Sequence, residues 1–188
     1  MNTRVKILLL ILLTLFCSCK NTNQHLDKKI SIIQNSNFEL FEGVRIESRY
    51  IKDGIHQAPF FTKQLNNRNY FLPNASYYGC DFGDFKCLEK ATEVGSDPID
   101  FAYENNVSKE KANIFIGDYT KKIIREFEKL RVSQVLSDSK IGDCLIFFLK
   151  DNYILIHVNI PSEIYNSYWK TEILKAEKIN QRWYLIKK

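Results

Sequence analysis

From Ser108 to Leu130 the residues Ala112, Phe115, Ile116, Tyr119, Ile123, Phe127 and Leu130 return every three or four positions. That period describes one buried helical stripe, with Lys121, Lys122, Arg125 and Glu126 on the other side. Ser108 is placed to cap the helix, and Gly117 inside it costs about 1 kcal/mol against alanine, tolerable where packing holds the helix. Beyond the helix the period changes to two. Residues 144–149 are continuously apolar, Asp151-Asn152 turns the chain, and residues 153–160 alternate until Pro161. Ile154, Ile156, Val158 and Ile160 share one face; Tyr153, Leu155, His157 and Asn159 share the other. A second hairpin is expected from strands at 171–179 and 182–187 around Asn180-Gln181. Segregated helices and strands predict an α+β fold, with helices packed on a C-terminal antiparallel β-meander.

The earlier part of the chain is less regular. Val44, Ile46, Ser48 and Tyr50 alternate with Arg45, Glu47 and Arg49, which predicts a half-buried strand ended by Lys52-Asp53-Gly54. Residues 55–83 contain Pro59, Asn66-Asn67, Pro73, Asn74 and Gly79, which break every period, so an ordered aromatic segment without regular structure is expected there. A helix is predicted over 85–94, and Asp97-Pro98 begins another with Asp100 in its first turn. With 188 residues and no internal repeat, one folded domain accommodates all of this.

The N-terminus carries an address. Arg4 and Lys6 precede an apolar run over residues 7–16, in which Thr14 is the one polar residue. Ten residues reach about 15 Å as a helix, half the bilayer core, so the run is a signal-peptide core and no membrane span. It is followed by Cys17-Ser18-Cys19. In these residues the chain resembles bacterial lipoproteins, whose signal ends in a small residue before the cysteine that is acylated. Cys19 fits that place with Ser18 before it; Phe16 stands where leucine is usual. The resemblance implies a signal peptide over 1–18, lipidation of Cys19, a polar tether over 19–29 and one domain over 30–188. It implies a lipid-anchored cell-envelope protein, and Lys20 in place of an aspartate favours the periplasmic face of the outer membrane. A cleaved signal without lipidation, or a short buried helix, is the alternative.

The envelope setting bears on the cysteines. Once residues 1–18 are gone and Cys19 is acylated, Cys80, Cys87 and Cys144 remain, and an oxidising compartment implies a Cys80–Cys87 disulfide, worth roughly 2–3 kcal/mol. A zinc site from the same thiolates lacks a C-x-x-C or a nearby histidine, so no metal is expected. Cys144 opens an apolar strand and reads as a buried, inert thiol.

Helices followed by a meander ending at Trp183-Tyr184-Leu185 also resemble, as topology over residues 85–188, the cystatin-like and NTF2-like folds. The resemblance implies that the Tyr153, His157 and Asn159 face lines a concave pocket; otherwise that face is the solvent side of the sheet. An enzyme using His157 in such a pocket is one reading. The other is a non-catalytic binding module, an inhibitor or immunity-type protein included, because Walker, dinucleotide-binding, G-x-S-x-G and H-E-x-x-H patterns are absent and no cofactor is implied. Aromatics crowd residues 60–85, and Tyr70, Tyr77, Tyr78 and Arg68 are the candidate contacts for a protein or glycan partner. Without residues 1–18 the chain has 25 basic against 22 acidic residues, a net +3 with the lysines scattered among acids, so no nucleic-acid partner is expected.

Overall fold

A computed structural model describes residues 24–50, 57–65, 68–72, 84, 86–87, 99–150 and 152–188. The chain divides into two units, Met1–Phe38 and Glu39–Lys188. The described part of the first is a helix, α1, over residues 24–34. Its Ile30 and Ile33 are buried. Helix therefore replaces most of the expected tether to Lys29, because Leu26, Ile30 and Ile33 recur at helical spacing across that boundary.

The second unit is an α+β fold built on an eight-stranded, wholly antiparallel sheet. Its strands are β1 (Val44–Tyr50), β2 (Gln57–Leu65), β3 (Arg68–Phe71), β4 (Gln134–Leu136), β5 (Cys144–Phe148), β6 (Tyr153–Val158), β7 (Glu177–Lys178) and β8 (Trp183–Lys187). In space they run β3-β2-β1-β4-β5-β6-β8-β7, so the sheet is not confined to the C-terminal third. Between β3 and β4 lie α2 (Ile99–Glu104) and α3 (Lys109–Leu130), and α4 (Ser167–Lys175) precedes β7.

Two expectations are corrected here. The segment 55–83 contains β2 and β3, paired from Thr62↔Phe71 to Leu65↔Arg68. Pro59 is tolerated in β2 because, among the described strands, β1 alone flanks it, opposite Ser48; β3 begins its pairing three residues later, so neither described neighbour asks for the missing N–H. The expected strand at 171–179 is mostly helix. Asn166 caps α4 by accepting from the Trp169 N–H at 3.2 Å, and Trp169, Ile173 and Ala176 follow at i, i+4 and i+7. All three pack on the sheet face of Cys144, Ile146, Ile154, Ile156 and Ile186.

The long helix α3 begins as its sequence demands, with Ser108 Oγ accepting from the Lys111 N–H at 3.3 Å. Its buried stripe is Ala112, Ile116, Thr120, Ile123, Ile124, Phe127 and Leu130. It covers the opposite sheet face over the β2–β3 hairpin, where Leu65 and Tyr70 pack against Phe101, Ala112 and Ile116. Covered on both sides, β6 is buried from Ile154 to Val158, and Phe147 stands edge-on to Phe41 and stacks on Trp183, each at 6.2 Å. The face carrying His157 is thus not wet at that point.

Gly117 has open space where a Cβ would stand. Gly117→Ala is expected to stabilise the fold by about 0.5–1 kcal/mol, read as a higher urea midpoint at unchanged slope; a lower midpoint would contradict the open geometry.

Candidate functional site

An aromatic ladder is built where the β2–β3 hairpin meets α2 and α3. The turn between the helices is held by the Val107 N–H on the Ala102 carbonyl at 3.0 Å, with Asn106 at φ 51. This brings Phe101 beside the first turns of α3. Tyr70 meets Phe101 edge-on at 5.6 Å, Phe101 stacks on Phe115 at 5.6 Å, and Phe115 stacks on Tyr119 at 6.4 Å. Lys63 ends the row with Nζ 5.5 Å over the Tyr119 ring, while also donating to the Glu42 carbonyl. Burial lowers the Lys63 pKa, partly offset by the Glu42 charge. Burial likewise raises that of Tyr119, whose hydroxyl donates to the Leu40 carbonyl at 2.9 Å. Tyr119 is a fixed post of the ladder.

The ladder lines an apolar groove of only about 50 Å³, room for one small side-chain tip. Its outer edge is wide open. Phe115 is 56% exposed and Ile114 65%, and Tyr103 on α2 is 87% exposed. A shallow depression of about 360 Å³ along α3 joins Ile114, Phe115 and Tyr119 to Lys111, Asp118 and Lys122. A stacked row of rings whose Phe115 is bare at its outer edge suits contact with an apolar or sugar face.

A second concavity, of about 290 Å³, opens where the 137–143 loop crosses the sheet end. Glu42, Asp138, Asp143, Glu163, Asn159 and Tyr165 are among its walls. Its polar groups are largely committed to holding the loop. Asp138 accepts from the Lys140 N–H at 2.8 Å and lies 3.7 Å from the Arg45 guanidinium; Ser137 accepts from the Gly43 N–H at 2.8 Å; Gln64 accepts from the Ser139 N–H at 2.8 Å. Among the described residues no group of three or more metal-ligating side chains converges. Cys144 at the cleft floor is buried, and burial with the neighbouring Asp143 charge pushes its thiol up to about 12, so it stays protonated.

The sequence candidates are dispersed. Tyr70 enters the ladder. Tyr77, Tyr78 and Cys80 lie outside the described residues, as does Cys19, and of Arg68 only the backbone, opposite Leu65, is described. Cys87 is disulfide-bonded and Cys144 is a free thiol; with Cys80 outside the described residues, the pairing stays an expectation. Tyr153, His157 and Asn159 do not form one site. Tyr153 stands four residues, about 13 Å, along the strand from His157, beneath the Lys187 ammonium at 5.8 Å. Asn159 lies past the strand end and donates to Asp143 at 2.9 Å in the polar cleft. His157 is buried against Trp183, ring centres 4.7 Å apart, between Leu145 and Trp183 in register.

Phe101 and the exposed Ile114 were missed as site residues. The signal was present: Ile114, Phe115 and Ile116 are consecutive, and at 100° per residue they cannot all face one core.

Burial, then the Arg182 charge, lowers the His157 pKa, against smaller upward pulls from Asp143 and Glu39. The folded chain therefore takes up this proton less readily than the unfolded one. Stability conferred by the neutral ring is full above the ordinary value near 6.5 and falls as pH drops below it. Urea melts between pH 5 and 7.5 should show that fall in wild type and a shallower one in His157→Phe; identical pH profiles would contradict it.

Comparison with known proteins finds no family model, no curated protein and no solved structure that matches this chain.

Proposed function

We propose that the protein is a cell-envelope lipoprotein, anchored through Cys19, whose folded unit is a non-catalytic interaction module. The observation that carries the binding role is the exposed outer edge of the aromatic ladder, Phe115 and Ile114 on α3. A soluble domain does not need three adjacent apolar residues there for its own core, and Ile116 alone turns inward. Stacked rings with lysine and aspartate at the rim favour a partner offering an apolar or glycan surface.

A photo-crosslinking residue at position 115, in cells making the full chain, tests this. One discrete adduct is expected, absent when the same residue replaces Leu174, which is also exposed, and lost in Ile114→Asp. No adduct, or equal labelling from both positions, would sink the reading.

A further inference from the structure

Helix α1 sorts its side chains by kind. At 100° per residue, Leu26, Ile30 and Ile33 fall within one 60° arc, and Ile30 and Ile33 are buried. Lys28, Ile32, His25 and Lys29 occupy another arc, about 100° wide, and Asp27 lies on the far side from it. His25 and Lys28 are exposed and Ile32 is 46% exposed. A helix with cations around one exposed aliphatic residue, its acid turned away, has the pattern of a segment lying in a lipid headgroup layer.

The length of chain before α1 decides what can reach that face. If residues 19–29 were all tether, the unit would stand off the bilayer on a flexible leash. Helix is instead described from Gln24 onward, so at most residues 20–23 separate it from Cys19. Five Cα–Cα steps span at most about 18 Å, whatever their conformation. A lipid-anchored Cys19 therefore keeps the start of α1 within about two Debye lengths of the headgroups at physiological salt.

We infer that α1 docks on the membrane surface, with His25, Lys28, Lys29 and Ile32 seated among anionic phospholipid headgroups. The inference rests on the Cys19 anchor proposed above and adds an orientation to it. The anchor supplies proximity, the lysines supply attraction to negative lipid, and Ile32 enters the acyl boundary.

The test uses the mature acylated chain on vesicles of phosphatidylethanolamine and phosphatidylglycerol, with an environment-sensitive dye on a cysteine replacing Ile32 or, separately, Asp27. Intact mass first reports whether Cys19 carries acyl chains. The expected result is a dye at 32 shielded several-fold from an aqueous quencher relative to the dye at 27. That difference should shrink on phosphatidylcholine vesicles, and Lys28→Gln should lower the docked-to-undocked ratio about fivefold. An acylated, vesicle-bound chain whose two dyes are quenched alike, or alike on both lipids, overturns the docking and leaves the anchor standing. A chain that intact mass shows to be unacylated overturns the anchor and the docking with it.

Discussion

Gly142→Ala is expected to cost about 3 kcal/mol or more, near the top of the range for single substitutions. Gly142 sits at φ +125, outside the regions an L side chain adopts readily. A Cβ there would lie 2.1 Å from the Glu163 carbonyl oxygen and 2.7 Å from the Ile164 Cα. Both are backbone atoms, so no rotamer change relieves the clash. The close approach has a purpose. Gly142 bridges Ile164, the Asp143 N–H donates to the Glu163 carbonyl at 3.1 Å, and the Ile141 carbonyl accepts from Tyr165 and Asn166 at 3.0 and 3.1 Å. This clamp seats Ile164 in the core beneath α4 and sets Asn166 where it caps that helix. Separating the strands of the clamp should therefore loosen α4 as well. Urea melts give the midpoint and slope; a Gly142→Ala protein within 1 kcal/mol of wild type would show that the loop adapts. Gly117→Ala, the same change with the opposite expected sign, controls for the entropy of losing a glycine.

Cys19→Ser is expected to abolish membrane association altogether. One acyl chain holds a protein only marginally, whereas two or more on one residue hold it stably at about 0.8 kcal/mol per buried methylene. No helix among the described residues is long and apolar enough to cross a membrane, so none of them offers a substitute of that kind. The four α1 residues alone amount to a few weak headgroup contacts. In fractionated cells the variant should move from the membrane pellet to the soluble fraction and lose the mass of its acyl chains. A Cys19→Ser chain that still pellets, and is released by neither salt nor carbonate, would refute the lipoprotein reading.

What could be read from residue order follows from how local each cause is. The α3 helix was legible because its cap, its period and its polar side all lie within the one stretch from Ser108 to Leu130. The β5–β6 hairpin was legible for the same reason, its apolar run and its turn being contiguous. α4 is hidden in residues 171–179 because Trp169, the residue that sets its helical phase, lies before that stretch. β2 and β3 were hidden by Pro59, whose tolerance depends on where a neighbouring strand stops pairing, a fact about space. The burial of His157 depends on Trp183 of the neighbouring strand, a contact that period two alone leaves undefined, as Phe147 and Phe41 complete the same face. The ladder was half visible. Tyr70 was singled out, yet its partners Phe101, Phe115 and Tyr119 come from a segment more than 25 residues away.

The adjacency of β1 and β4 also sets an order of events. Ile46 pairs with Val135, so about 90 residues must be made before β1 gains its second neighbour. Until then the β1–β3 strands can form at most a small sheet whose β1 edge, central in the finished protein, is bare. A chain threaded N-terminus first across a membrane would carry that open edge from the emergence of β3 until that of β4, and contacts this distant in sequence form late. The finished sheet ends in the four-residue β3 and the two-residue β7, both poor templates for a stray strand. The hazard of edge-to-edge association is thus confined to transit, when a holding chaperone at the exit would have most to offer.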